Sequence, residues 1–387
     1  MAETVACCRP AVVAAYPISP QTHIVERLSD LVTTGALESC EYLLVESEFG
    51  ALSACIGASA AGARTYTATA SQGLLFMAEA LPNASGLGLP IVMTVANRAL
   101  GAPINIWNDH SDALSQRDAG WLQLFASSNQ EAADLHVQAF ALAERLSLPV
   151  MVCMDGFVLT HAMEEVDVPE QDDVDAFLEP FRPRQWLDPA DPVTIGAMVG
   201  PDAFTEVKYL MARRQLAALD AVAETATAFR TAFGRDSGGL LHEYRTEGAE
   251  VVLVVMGSAW GTAADAVDTL RGKGVAAGVL AITCYRPWPA DALEAALAGV
   301  PHVVVVNRAI AVGSGSVLGQ EVRGVVTGDT EVHDVVMGLG GRPVTRTGLA
   351  ELVEDVADGR LPTDRLVFRD LKHDVVEREL DREGARR

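Results

Sequence analysis

The sequence predicts an α/β protein built as two doubly wound, mostly parallel-sheet domains. Short continuous apolar runs alternate with helical stretches, the rhythm of strand–helix–strand units whose helices cover both faces of a sheet. A glycine-marked break at Gly234, Gly238 and Gly239 separates two such series. The 387 residues, 49 % of them hydrophobic, suit two domains or one large domain with an appendage.

The elements follow in order. Val12–Tyr16 is a short apolar strand that breaks at Pro17. A helix is expected from Pro20, with Ile24, Leu28 and Leu31 on one face, Pro20 at its first position and Ser19 as its cap. Tyr42–Val45 reads as the next buried strand. Phe49–Gly62, rich in Ala and Gly, reads as a helix lying close against a sheet. Arg64–Ala68 and Ile91–Ala96 are further strands, with a helix from Gln72 to about Ala80 between them. A helix over Glu131–Ser147 precedes a strand over Pro149–Met154.

From Asp155 to Val199 the periodicity lapses amid five prolines and a run of acids. A stretch of this kind is either an arm reaching across a subunit boundary or a surface meander. Ala203–Phe233 is a long helical pattern leading to the glycine break. The second series runs through a strand at Val251–Met256, a turn at Gly257–Ser258, a helix at Ala259–Gly272, and strands at Val275–Ile282, Val303–Val306 and Val332–Val336. The expected domains are therefore 1–240 and 241–362. Residues 363–387, highly charged, form a tail or a partner-binding helix.

The net charge of −23 argues against a nucleic-acid or anionic-membrane surface, because phosphate binding needs an excess of Lys and Arg. Only Lys208, Lys273 and Lys372 are lysines, which reflects genome composition or halophilic solvation. No two of the six cysteines have C-x-x-C spacing, so neither an iron–sulfur cluster nor any other metal site is expected on this chain. The cysteines fit a reducing compartment. With no signal-peptide pattern and no apolar run of transmembrane length, a soluble cytoplasmic protein is expected.

Ligands of open parallel sheets sit beyond the carboxyl ends of the strands, so chemistry is sought in the strand-to-helix turns. The first turn, Tyr16–Thr22, sets Ser19 between two prolines before a helix; it could hold an anion or simply cap the helix. The second carries Glu46 and Glu48, which spacing does not separate. Glu48 is either a first-turn partner of the helix dipole or a buried functional acid. The third, Thr67–Gly73, is rich in hydroxyls. The fourth has Arg98 directly after a strand, where a guanidinium can clamp a carboxylate. It leads into a polar loop with Asn108, Asp109, His110 and Asp112, a candidate active-site loop in which His110 is either a structural hydrogen-bonder or a base. Phosphate-binding glycine loops are missing, and Met154–Gly156 matches only faintly the Gly-Asp-Gly loop that binds thiamine diphosphate through a metal.

These turns carry a resemblance. A-Y-P-I-S-P-Q-T (Ala15–Thr22), E-S-E (Glu46–Glu48), S-Q-G-L (Ser71–Leu74) and A-P-I-N-I-W-N-D-H-S-D (Ala102–Asp112) occur in order. N-Q-E-A-x-D-L (Asn129–Leu135), D-G-F-V-L-T-H (Asp155–His161), M-G-S-A (Met256–Ala259), Y-R-P-W-P (Tyr285–Pro289) and G-L-G-G-R (Gly338–Arg342) follow. The chain resembles the alpha subunits of 2-oxoacid:ferredoxin oxidoreductases, most closely those acting on pyruvate.

The resemblance implies a thiamine-enzyme pyrimidine-type domain followed by a transketolase C-terminal-like domain. It implies thiamine diphosphate shared with a beta subunit, which holds Mg²⁺ and a [4Fe–4S] cluster. Gamma and delta subunits, coenzyme A and ferredoxin would complete the system. By the same resemblance, Glu48 matches the glutamate that hydrogen-bonds N1′ of the cofactor's aminopyrimidine, Arg98 the arginine that holds the substrate carboxylate, and Ser19 a hydroxyl that donates to it. Ser19 stands where Thr is usual, leaving slightly more room. A branched-chain 2-oxoacid, 2-oxoglutarate or phenylglyoxylate as substrate, or a non-catalytic scaffold, are the alternatives.

Overall fold

The computed structural model describes residues 1–384. A short helix, α1 (Ala2–Cys7), precedes β1 (Val12–Ala15). Helix α2 spans Thr22–Thr33, and Gln21 rather than Ser19 stands at its cap. Gln21 donates its side-chain amide to the Tyr16 carbonyl at 3.0 Å, so Tyr16–Gln21 is closed off as a turn and the helix starts beyond Pro20. Ile24, Leu28 and Leu31 do share its buried face.

The next strand, β2 (Glu41–Leu44), is not buried as the sequence implied. It pairs only with β1 at the sheet edge, and Leu44 is 68 % exposed. Helix α3 (Glu48–Ala60) begins at Ser47, whose hydroxyl accepts from the Gly50 amide at 3.0 Å. After β3 (Thr65–Thr69), the one helix expected is two, α4 (Ser71–Phe76) and α5 (Ala80–Leu87). The fully buried β4 (Ile91–Asn97) leads through α6 (Ser111–Ser115) to β5 (Leu122–Phe125), a strand of four residues that the sequence pattern did not mark. Helix α7 (Asn129–Leu146) and β6 (Val150–Asp155) follow.

The proline-rich segment contains a single helix, α8 (Gln171–Phe177). It leaves Met163, Trp186, Leu187 and Met198 exposed on the surface. Helix α9 (Pro201–Phe233) is anchored by its second half through Ala218, Ala221, Val222 and Phe229, while Phe204, Tyr209 and Leu210 of its first half are exposed.

The second series comprises β7 (Leu241–Tyr244), β8 (Val251–Val255), α10 (Ala259–Gly272), β9 (Ala277–Ile282), β10 (Cys284–Arg286), α11 (Ala290–Leu297) and β11 (His302–Asn307). It continues with α12 (Leu318–Arg323), β12 (Glu331–Val336), α13 (Arg346–Ala357), β13 (Val367–Phe368) and α14 (His373–Gly384).

The first sheet has the order β10-β5-β6-β4-β3-β1-β2 and the second β13-β12-β11-β8-β9-β7. All pairings are parallel except β10 with β5 and β7 with β9. Strand β10 belongs to the chain after residue 240 yet pairs in the first sheet, so the two sheets interlock. One apolar layer runs continuously from Met93 and Trp121 to Val254 and Tyr285, joining the inner faces of both sheets. Two further layers cover the outer faces. Because β1, β2, β3, β4 and β6 run parallel, their carboxyl-end turns meet along one edge.

Candidate active site

Two buried charges stand at that edge. Glu48 is the first residue of α3 and is only 7 % exposed, whereas Glu46 is exposed; burial separates the two acids that spacing could not. The Glu48 side chain lies over the start of α4. A Cβ on Gly73 would meet Glu48 Oε1 at 2.6 Å and Thr69 Oγ1 at 2.5 Å, so only glycine admits the carboxylate there. Among the described residues no donor reaches the Glu48 carboxylate, and the buried Thr69 hydroxyl has no partner either. The carboxylate and the hydroxyl both stand against the Gly73 gap, where each is free to bond a ligand.

Arg98, 7 % exposed, follows β4. Its guanidinium reaches the Ser19 carbonyl at 2.8 Å, Gln72 Oε1 at 3.4 Å and the Asn105 carbonyl at 3.4 Å. All three are neutral acceptors, and two of the contacts are long. The guanidinium forms no ion pair among the described residues, which leaves it able to accept an anion. Ser19 is exposed beside it and gives Arg98 its carbonyl.

The loop after Arg98 is organised from within. Asp112 is fully buried and accepts from the Ser71 amide at 2.9 Å, the Arg98 amide at 3.0 Å, Asn97 Nδ2 at 2.8 Å and the Ala113 amide at 2.8 Å. Burial pushes its carboxyl above the usual range against the pull of these four donors. Asp112 thus fastens the third turn to the fourth and fixes where Arg98 starts. Asp109 accepts from the Ser111 amide at 2.9 Å.

Asn108 and His110 face the second sheet instead. Arg308 donates to Asn108 Oδ1 at 2.6 Å, the Gly341 amide to the Asn108 carbonyl at 2.7 Å, and the His110 amide to the Arg308 carbonyl at 2.8 Å. His110 Nε2 lies 2.7 Å from Asp155 Oδ1, and Arg308 and the Ser258 hydroxyl bond the other oxygen. Burial pushes Asp155 up, but Arg308 and His110 more than offset it and hold the carboxyl well below the usual carboxylate range. Gly257, at φ +64°, passes so near that a Cβ would meet Asp155 Oδ1 at 2.9 Å. His110 thus has a fixed partner in Asp155, and the loop that carries it bridges the two sheets.

Asp155 and Ser258 stand in motifs the sequence shows but have no role assigned from it, and Arg308 stands in none. The signal for Arg308 was there: it follows the valine run of β11 as Arg98 follows β4.

Comparison with known proteins shows the family. Residues 3–227 match the family described as pyruvate flavodoxin/ferredoxin oxidoreductase, thiamine diphosphate-binding, and residues 249–348 match pyruvate:ferredoxin oxidoreductase core domain II. The chain belongs to the pyruvate:ferredoxin oxidoreductase family. It is 45 % identical to the pyruvate synthase subunit PorA of Methanosarcina barkeri, over 97 % of this chain and 96 % of that one. It is 38 % identical to the ketoisovalerate oxidoreductase subunit VorA of Pyrococcus horikoshii, over 90 % and 89 %. In fold it is similar to the 2-oxoglutarate:ferredoxin oxidoreductase of Magnetococcus marinus (TM-score 0.69, 18 % identity), covering 92 % of this chain and 64 % of that one.

For a pyruvate:ferredoxin oxidoreductase of this kind, the residues on the edge fit the aminopyrimidine end of thiamine diphosphate. A carboxylate without an ionic partner among the described residues and, beside it, a hydroxyl without a partner suit a heterocycle that carries both donor and acceptor atoms. Apolar side chains stand exposed at the same turns: Tyr16, Phe49, Phe76, Ile104 and Trp107, with the Phe49 and Phe76 rings stacked at 6.3 Å. No helix among the described residues is long and apolar enough to cross a membrane.

Proposed function

We propose that the chain is the alpha-type subunit of an enzyme that oxidatively decarboxylates pyruvate to acetyl-CoA and CO₂ and passes the electrons to ferredoxin. In this reading residues 1–240 form the pyrimidine-binding-type domain, 241–362 the transketolase C-terminal-like domain and 363–387 a charged tail. A beta subunit holds the diphosphate end of the cofactor with Mg²⁺ and a [4Fe–4S] cluster, and gamma and delta subunits relay electrons. The observation that carries the reading is the pair of buried, oppositely charged side chains, Glu48 and Arg98, neither with an ionic partner among the described residues.

Thiamine diphosphate, when bound, supplies the carbon nucleophile and the electron sink for decarboxylation. Glu48 holds a proton in a hydrogen bond at N1′ of the aminopyrimidine. Its place in the first turn of α3 and the missing Cβ of Gly73 fix the direction of that bond. Arg98 holds the substrate carboxylate, with the Ser19 hydroxyl as a second donor. Charge leaves this carboxylate as CO₂ forms, so Arg98 serves binding and orientation more than the bond-breaking step. Asp112 keeps the Arg98 backbone in place. The exposed rings at the turns give the beta subunit an apolar surface that also excludes water from the two charges.

The reading is tested by purifying the native complex, measuring its iron and thiamine content, and assaying a panel of 2-oxoacids with CoA and a viologen dye. Pyruvate is expected to give the highest kcat/KM, ahead of branched-chain 2-oxoacids, 2-oxoglutarate and phenylglyoxylate. Turnover by the isolated chain, or none by the complex with any 2-oxoacid, would overturn it.

A further inference from the structure

The parallel register of β11 and β12 pairs His302 with Glu331 and sets His333 two residues further along the same face. His302 Nδ1 lies 3.3 Å from Glu331 Oε2 and 3.4 Å from His333 Nε2, and the third separation is 4.0 Å. Ligands about 2.0–2.1 Å from a tetrahedral metal stand roughly 3.3–3.4 Å from one another. Two edges of the triangle already have that length, and the third is close to it.

The outer groups fit as well. His333 is buried, and its Nδ1 lies 3.3 Å from the Pro362 carbonyl. A carbonyl only accepts, so Nδ1 carries the hydrogen and Nε2 presents its lone pair to the other two groups. This is the way metal-bound imidazoles are oriented by a second partner. His302 is half-buried and Glu331 exposed, so the triangle has a closed inner corner and an outer side open to solvent.

We propose that His302, Glu331 and His333 form a binding site for one divalent transition metal, Zn²⁺ by donor set, with the fourth position open to water. The cysteine spacing gave no hint of it, because the ligands come from two strands that are neighbours only in the sheet. The site lies at the amino ends of β11 and β12. Arg308 stands at the other end of β11, about 20 Å away at ~3.3 Å per residue. Bound metal would clip the starts of two central strands to the segment at Pro362 that follows α13, and so stabilise the second sheet.

Co²⁺ titrated into the metal-free full-length chain tests this. One equivalent is expected to give the visible ligand-field bands of a four-coordinate N/O site, without the near-ultraviolet band of cobalt–thiolate charge transfer. His302→Cys is expected to add that charge-transfer band, which only a direct ligand can do. His302→Ala with Glu331→Gln should weaken Zn²⁺ binding at least tenfold, since losing even an outer-sphere partner costs about 10- to 100-fold. Saturating Zn²⁺ should raise the Tm of the unaltered chain and not of the double variant. A thiolate band in the unaltered chain, no new band in His302→Cys, or unchanged Zn²⁺ affinity in the double variant would overturn the assignment.

Discussion

Glu48 and Arg98 do opposite things to the isolated chain and to the assembled enzyme. A charge at this largely enclosed position costs desolvation, and Glu48→Gln removes the charge while keeping the shape. The variant should therefore unfold at the same or a higher Tm and assemble with its partners. Pyruvate-dependent viologen reduction should fall at least about 10²-fold, the scale of a lost proton-handling group. Turnover near that of the unaltered enzyme would remove Glu48 from the cofactor role. Arg98→Ala deletes charge-assisted hydrogen bonds worth about 1.5–3 kcal/mol each. It should lower kcat/KM for pyruvate roughly 10- to 100-fold, mainly through KM. An unchanged kcat/KM would sink the clamp. Both residues sit in strand-to-helix connections that the sequence marks, Glu48 after the edge strand β2 and Arg98 directly after the buried β4. Spacing left Glu46 and Glu48 unseparated, the family motif pointed to Glu48, and the fold adds that Glu48 is the carboxylate that turns inward beside Gly73.

At the scale of elements, regular strands and helices followed the apolar pattern closely, and the exceptions have physical causes. Helix α10 starts and ends where its pattern does. Strand β2 is apolar without being buried, since a run such as Leu43–Leu44 looks the same whether a helix or another protein covers it. Strands β5 and β10 are too short to show a period, and their pairing joins residues about 160 apart in sequence, which no local pattern contains. A different kind of pairing joins β3, β4 and α7. The Tyr66 hydroxyl, the Thr94 hydroxyl and His136 Nε2 form a buried chain at 2.6 and 2.5 Å, and His136 Nδ1 donates to the Ala132 carbonyl at 2.6 Å. Burial pushes the His136 imidazole down to about 3 from its ordinary 6.5. The unfolded chain then binds a proton in this window that the folded chain refuses, so stability falls as pH drops below the unfolded value. Between pH 6.5 and about 5 the loss should be about 2 kcal/mol, at ~1.4 kcal/mol per unit. Denaturant titrations of the unaltered chain and of His136→Gln at the two pH values measure it. Equal losses in both would exclude His136 as the source.

At the scale of the whole molecule, the second sheet holds the loop that holds Arg98. Asn105 bonds Arg98 on one side and the Gly340 carbonyl on the other, while Asn108 and His110 are tied to Arg308 and Asp155. Arg308→Met leaves Asp155 ionised and buried with one cation fewer. Breaking a buried pair in this way costs about 3–5 kcal/mol, and the loss should appear in denaturant unfolding of the chain at neutral pH. The folded pKa of Asp155 is depressed, so its contribution is complete above the unfolded value near ~3.9 and drains only as pH falls below it. Unfolding free energies at pH 7 that match those of the unaltered chain would show that the ion pair carries no net stability. In the assembled enzyme the same variant should also raise KM for pyruvate, because the Arg98 loop loses its anchorage.

Strand β10 makes the two halves inseparable. A polypeptide ending at Gly239 would lack the antiparallel cover on β5, and Leu122–Phe125 would lie bare along one margin of its sheet. Such a fragment would seek that missing strand from neighbouring molecules and self-associate, whereas adding back residues 240–387 would compete for the same margin. A chain break anywhere between Phe125 and Cys284 therefore has to be repaired by the two pieces pairing again along this margin.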